Sequence, residues 1–131
     1  MLQRIQSIYL SIACIAMVLL SFRVPIYSLD DKVIWVQDDS KMFILTLLSG
    51  LLALVGLFIY RNRKIQMKLI RFAVIINFII GVRLLLLWKA FQVSLNSNAL
   101  LIVLLATVAL LLAYKGVKKD DDLVRSVDRI R

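Results

Sequence analysis

The stretch LIRFAVIINFIIGVRLLLLW runs from Leu69 to Trp88, and only Arg71, Asn77 and Arg83 interrupt its apolar character with strongly polar groups. A hydrocarbon core of ~30 Å takes about 20 helical residues to cross. The stretch has that length and reads as a membrane span. Working outward, Met42 to Tyr60 and Ile5 to Phe22 are long enough by the same criterion. Ala99 to Tyr114 is the shortest apolar run, with the capping types Asn96, Ser97 and Asn98 before it and room for its last turn to run into Lys115. The 131-residue chain is 62% hydrophobic, more than one small core can hide. These numbers exclude disorder and a disulfide-rich secreted fold. The expected fold is an all-α bundle of four transmembrane helices in a single integral membrane domain, residues 1–131. An outer loop covers 23–41, and a tail at 115–131 holds a short amphipathic C-terminal helix.

Two other readings of the first span are set aside. No small-x-small cleavage site follows Leu20, as a signal peptide requires. Ser11-Ile12-Ala13-Cys14 resembles a lipoprotein cleavage box, but the apolar run continues past Cys14. Cys14 is the only cysteine, so no intrachain disulfide forms, and its apolar neighbours make it a packing residue.

Lysine and arginine set the orientation. Arg4, then Arg61, Arg63, Lys64 and Lys68, then Lys115, Lys118, Lys119, Arg125, Arg129 and Arg131 fall on one side, eleven in all. Arg23, Lys32, Lys41 and Lys89 fall on the other. Both termini are therefore expected in the cytoplasm. The same bias accounts for the net charge of +9, because cations at helix ends serve topology and anionic headgroups. Nucleic acid is not an expected partner; membrane lipids are.

The chain contains no histidine and no glutamate, and all eight aspartates lie outside the spans: Asp30, Asp31, Asp38 and Asp39, then Asp120, Asp121, Asp122 and Asp128. Proton-coupled transport commonly places acids or histidines in the membrane. Zinc binding and nucleophilic catalysis want Cys/His clusters or a positioned base. No catalytic, cofactor-binding or metal site is therefore expected. Arg71 is read as snorkelling beside Lys68. Asn77 calls for an interhelical hydrogen bond. Arg83 is expected to snorkel outward or pair with Asp38 or Asp39, an outer-leaflet anion or headgroup site being the alternative. At 100° per residue the three point in different directions and form no pore-lining stripe. Small residues recur at helical spacing: Ser7 and Ser11; Ser49, Ala53 and Gly56; Ala106, Ala109 and Ala113. Such stripes pack a bundle or dock another membrane subunit.

In the outer loop, two β-prone runs flank Asp30-Asp31-Lys32, a short hairpin around a polar turn. Tyr27 and Trp35 suit the interface, and the Asp-Asp pairs lack a calcium-loop spacing. In the tail, Leu123, Val127 and Ile130 share one face of a helical wheel with Val124 beside them. Asp121 and Arg125 form an i,i+4 pair, and Arg129 and Arg131 close the helix in agreement with its dipole. The face lies on headgroups or docks a protein partner.

Met1-Leu2-Gln3-Arg4-Ile5-Gln6, leading straight into a span, and the closing Leu123-Val124-Arg125-Ser126-Val127-Asp128-Arg129-Ile130-Arg131 resemble an uncharacterised family of short four-helix membrane proteins of Bacteroidetes, a domain of unknown function. That family's pattern has a small residue where Val127 stands and leucine where Ile130 stands; both departures keep the apolar face. The resemblance implies an inner-membrane location and no chemistry. The functional expectation is a non-enzymatic inner-membrane accessory or structural protein. It presents a basic cytoplasmic face and the candidate docking residues Leu123, Val124, Arg125, Val127, Asp128, Arg129, Ile130 and Arg131 to a protein partner or anionic lipid. The alternative is a small oligomeric transporter or channel using Asn77 and Arg83. The sequence does not fix the oligomeric state.

Overall fold

The structure, a computed structural model, describes residues 2–29, 32–91 and 94–130, with side chains described over 5–28, 32–89 and 96–127. Four helices carry the chain: α1 (Leu2–Arg23), α2 (Ser40–Phe58), α3 (Arg63–Phe91) and α4 (Ser97–Ile130). All four are long and apolar enough to cross a membrane, so the protein is an all-α four-helix membrane protein. They run up and down in a ring: α1 packs on α2 and α4, and α3 packs on the same two helices.

Each helix buries one narrow stripe. On α1 it is Gln6, Leu10, Ala13, Met17 and Leu20; on α2, Met42, Thr46, Ser49, Ala53 and Gly56. On α3 it is Gln66, Ile70, Ala73, Asn77, Ile80 and Leu84; on α4, Ala99, Val103, Ala106, Leu110, Ala113 and Val117. The steps alternate four and three, the 3.5-residue seam of coiled coils and four-helix bundles. The opposite faces carry the lipid-facing residues, such as Phe58, Phe72 and Phe78. The Ser49–Ala53–Gly56 and Ala106–Ala109–Ala113 stripes are buried in the bundle. Ser7 and Ser11 sit half-buried beside the α1 seam, and the Ser11 hydroxyl donates to the Ser7 carbonyl at 2.8 Å.

Helix ends follow from local capping. The Asp39 carboxylate accepts from the N–H groups of Lys41 and Met42 and starts α2. Asn62 accepts from the Ile65 N–H at the start of α3, and Asn96 from the Asn98 N–H at the start of α4. The Gln66 amide donates at 3.0 Å to the carbonyl of Gly56, one of the last four of α2 that lack an intrahelical partner.

The end opposite the α2–α3 turn is closed by a small sheet. Strands β1 (Pro25–Leu29) and β2 (Lys32–Trp35) form the expected antiparallel hairpin, with an irregularity between Pro25 and Tyr27. Its turn residues Asp30 and Asp31 lie outside the described residues. A strand not foreseen, β3 (Ser94–Leu95) in the α3–α4 connection, adds to the free edge of β1 in the order β2-β1-β3. At two residues it is too short to announce itself by alternation. The 23–41 loop contributes to the core: Ile26 and Val36 are buried with Leu20, Met42, Leu84 and Ala99.

One helix differs from expectation. The span expected to stop at Tyr114 and the separate tail helix are one unbroken 34-residue α4, about 51 Å long. Nothing between them stops a helix: there is no proline, and Gly116 costs only ~1 kcal/mol in a helix interior.

Candidate functional site

Polar side chains enter this bundle at four levels, and the one nearest the sheet holds Arg83. Its Nη2 lies 2.6 Å from Asp39 Oδ2, with side-chain exposures of 34% and 22%. Asp38, the other carboxylate in prospect, accepts instead from the Trp35 N–H at 2.8 Å. Burial pushes the Asp39 carboxyl up, but the Arg83 hydrogen bond, the Met42 and Lys41 N–H groups and the Arg83 charge outweigh it and hold the carboxyl below its usual range. The pair borders an open cleft of about 700 Å³ whose rim includes Tyr27, Lys32, Asp38 and Lys41. Just below, the Ser21 hydroxyl meets Thr46 Oγ1 at 2.9 Å across α1 and α2.

Asn77 occupies the middle level, 1% exposed. Its Oδ1 accepts from the Ser49 hydroxyl of α2 at 2.6 Å, an interhelical hydrogen bond. Among the described residues, Asn77 Nδ2 and Arg83 Nε are the buried side-chain polar atoms without a protein partner. Arg71 is exposed on the lipid face of α3 beside Lys68, away from both. The three interruptions of the third span are thus separate.

The level farthest from the sheet lies at the α2–α3 turn. Gln6 Nε2 donates to Asp120 Oδ2 at 2.6 Å, and Arg63 Nη1 donates to the Asp120 carbonyl at 3.2 Å. This knot ties α1, α3 and α4 together, and no local pattern signals it: Gln6 and Asp120 are 114 positions apart. Gly116 makes room for it, because a Cβ there would stand 2.8 Å from Gln6 Cγ.

Beyond the knot, α4 continues from Asp121 to Ile130, about 15 Å of helix. Leu123, Val124 and Val127 are 49%, 44% and 60% exposed. Val124 and Val127 prolong the α4 seam in register, at the steps that follow Val117 and Asp120. Arg125 pairs with Asp121 at 3.0 Å. Asp128, Arg129 and Ile130 continue the helix, but their side chains, and Arg131 altogether, lie outside the described residues. At the base of the extension a cleft of about 610 Å³ is lined by Tyr60, Arg61, Asn62, Arg63, Lys64 and Asp121. Basic turn and apolar rod therefore meet at one corner. Because α4 is unbroken, the tail carries the axis of the fourth span onward.

The sequence matches a family described as a domain of unknown function, DUF4293, over residues 2–130. No curated protein and no solved structure matches it.

Proposed function

The chain belongs to the DUF4293 family, a domain of unknown function, and with no activity to inherit from it we propose that it is a non-enzymatic accessory protein of a bacterial inner membrane. In this reading the source is one of the Bacteroidetes, both termini are cytoplasmic, and the chain offers a docking corner to a cytoplasmic protein. The observation that supports it is the extension of α4, whose Val124 and Val127 carry the bundle seam, with Leu123 beside them, into exposed territory next to the basic residues Arg61 and Lys64. A helix end of this kind offers a partner helix the i, i+3, i+4 anchors of groove-type recognition.

Deleting residues 123–131 tests the reading while keeping Asp120, which holds the bundle together. The truncated protein is expected to fold in detergent with an unchanged melting temperature and to lose cytoplasmic proteins that co-purify with the full chain. An unchanged set of co-purifying proteins would remove the docking role.

The second reading is a small oligomeric transporter or channel, supported by the two unpaired buried atoms, Asn77 Nδ2 and Arg83 Nε. It expects reconstituted solute flux that disappears in Arg83→Ala and persists in Arg71→Ala. Absence of flux across a panel of anions and zwitterions in liposomes would discard it.

A further inference from the structure

We propose that α3 holds an anionic glycerophospholipid from the leaflet on the side of the α2–α3 turn, with its phosphate on Arg71 and Lys68 and an acyl chain along Phe72 and Ile75. Asn77 stands at the midpoint of α3, equally far along the chain from Arg63 and from Phe91. Arg71 and Arg83 flank it symmetrically, each about 9 Å away along the axis. With Asn77 taken at the bilayer midplane and a hydrocarbon half-thickness of ~15 Å, both backbones fall inside the apolar slab at equal depth in opposite leaflets.

The two arginines have different surroundings. Arg83 has Asp39 at 2.6 Å. Arg71 has no carboxylate: among the described residues the ion pairs are Arg83–Asp39 and Arg125–Asp121. An arginine inside the slab is costly to leave bare, so it calls for an anion or a path to water. Its guanidinium needs to rise only about 6 Å to reach the interface, where the anion at hand is a lipid phosphate. The planar guanidinium suits that group, offering two parallel N–H donors to two phosphate oxygens.

The surface around Arg71 has the shape and polarity order of a phospholipid. Lys68, Arg71, Phe72 and Ile75 line a cleft of about 440 Å³, and their i, i+3, i+4, i+7 spacing keeps them on one face of the helix. The two cations are nearer the surface and the two apolar residues deeper. Phe72 and Ile75 are 60% and 54% exposed, bare flanks for a chain. Two positive groups against one phosphodiester favour a lipid of net negative charge over one that brings its own cation. The site stands apart from the docking corner, and tail deletion leaves it intact.

The test uses the full-length protein in micelles, read by native mass spectrometry with dioleoyl phosphatidylglycerol, dioleoyl phosphatidylcholine or inorganic phosphate added. Phosphatidylglycerol is expected to give one preferred adduct, weakened about tenfold in Arg71→Gln by the loss of a charge-assisted contact and less than about twofold in the turn variant Arg61→Gln. Melting temperatures report folding; if Arg71→Gln does not fold, Lys68→Gln and Phe72→Ala are expected to weaken the same adduct by a few-fold. Equal phosphatidylglycerol affinity in the cleft variants and the wild type overturns the proposal. So does an equal loss in Arg61→Gln, which is bulk charge, or an equal affinity for phosphatidylcholine. Inorganic phosphate binding as tightly as the lipid overturns it too, since the cleft would then serve a free anion.

Discussion

Asp39 performs two tasks with one carboxylate. Oδ1 caps α2 through the Lys41 and Met42 N–H groups, and Oδ2 takes Arg83. Asp39→Asn keeps a good cap and removes the ion pair, so it separates the two. The expected loss is about 1–2 kcal/mol, below the ~3–5 kcal/mol for breaking a fully buried pair, because both side chains keep some solvent. The pair's pH dependence follows from the lowered Asp39 pKa. The unfolded carboxyl titrates near ~3.9, so the pair's contribution is complete above that value. It is lost as pH falls through the folded pKa, because over that window the unfolded state binds more protons. Melting curves of wild type and Asp39→Asn are expected to stay a constant distance apart near neutral pH and to converge below about pH 4. Much of this site was legible in the sequence, where an arginine inside a span pointed to Asp38 or Asp39. The choice between them was not, since it turned on the Trp35 N–H engaging Asp38. Ser49 as the partner of Asn77 likewise depended on the register of α2 against α3.

At the level of helices, the close approach of α1 to α4 rests on Gly116. In Gly116→Ala the new methyl meets Gln6 Cγ, whose amide is held by Asp120. Overpacking of about 1–3 kcal/mol, less the ~1 kcal/mol alanine gains in a helix, leaves a net loss of about 1 kcal/mol in detergent melts. In a Gln6→Ala background the obstacle is gone, and the same change is expected to raise the melting temperature. A decrease there would show that something other than Gln6 needs the glycine. Span positions were readable because length and hydropathy decide them. The buried seams were not, because lipid-facing positions are as apolar as buried ones and blur the period. Ala13 and Ile15 look alike in sequence, yet the first is fully buried and the second 58% exposed. The continuity of α4 is hidden for a related reason: the apolar run ends at Tyr114, yet none of the residues Lys115–Asp122 breaks a helix.

The whole molecule keeps α1's start and α4's end on the side of the α2–α3 turn, with the three-stranded sheet opposite. The charge bias predicts that the sheet side faces out of the cytoplasm. With Cys14→Ser as background, a membrane-impermeant maleimide added to intact cells, with the outer membrane opened to it, is expected to label Lys32→Cys. Lys118→Cys is expected to react only after the membrane that holds the protein is opened. The reverse pattern would overturn the orientation.

The four helices have 22, 19, 29 and 34 residues, and the shortest, α2, carries a consequence for the bilayer. At 1.5 Å per residue it measures about 28 Å. A 3.5-residue seam holds neighbouring helices about 20° apart, which leans each one about 10–15° from the bundle axis, so α2 covers roughly 28 Å of membrane normal. The Asp39 cap and the Arg61–Lys64 turn mark its two ends with charge, so neither end sinks freely. Lipid beside α2 is expected to thin by about 2 Å from the usual ~30 Å, whereas lipid beside α3 and α4 need not. The protein therefore meets a bilayer of uneven thickness around its own circumference. Neighbours with equally short spans would relieve that mismatch on the α2 side and gain nothing on the other.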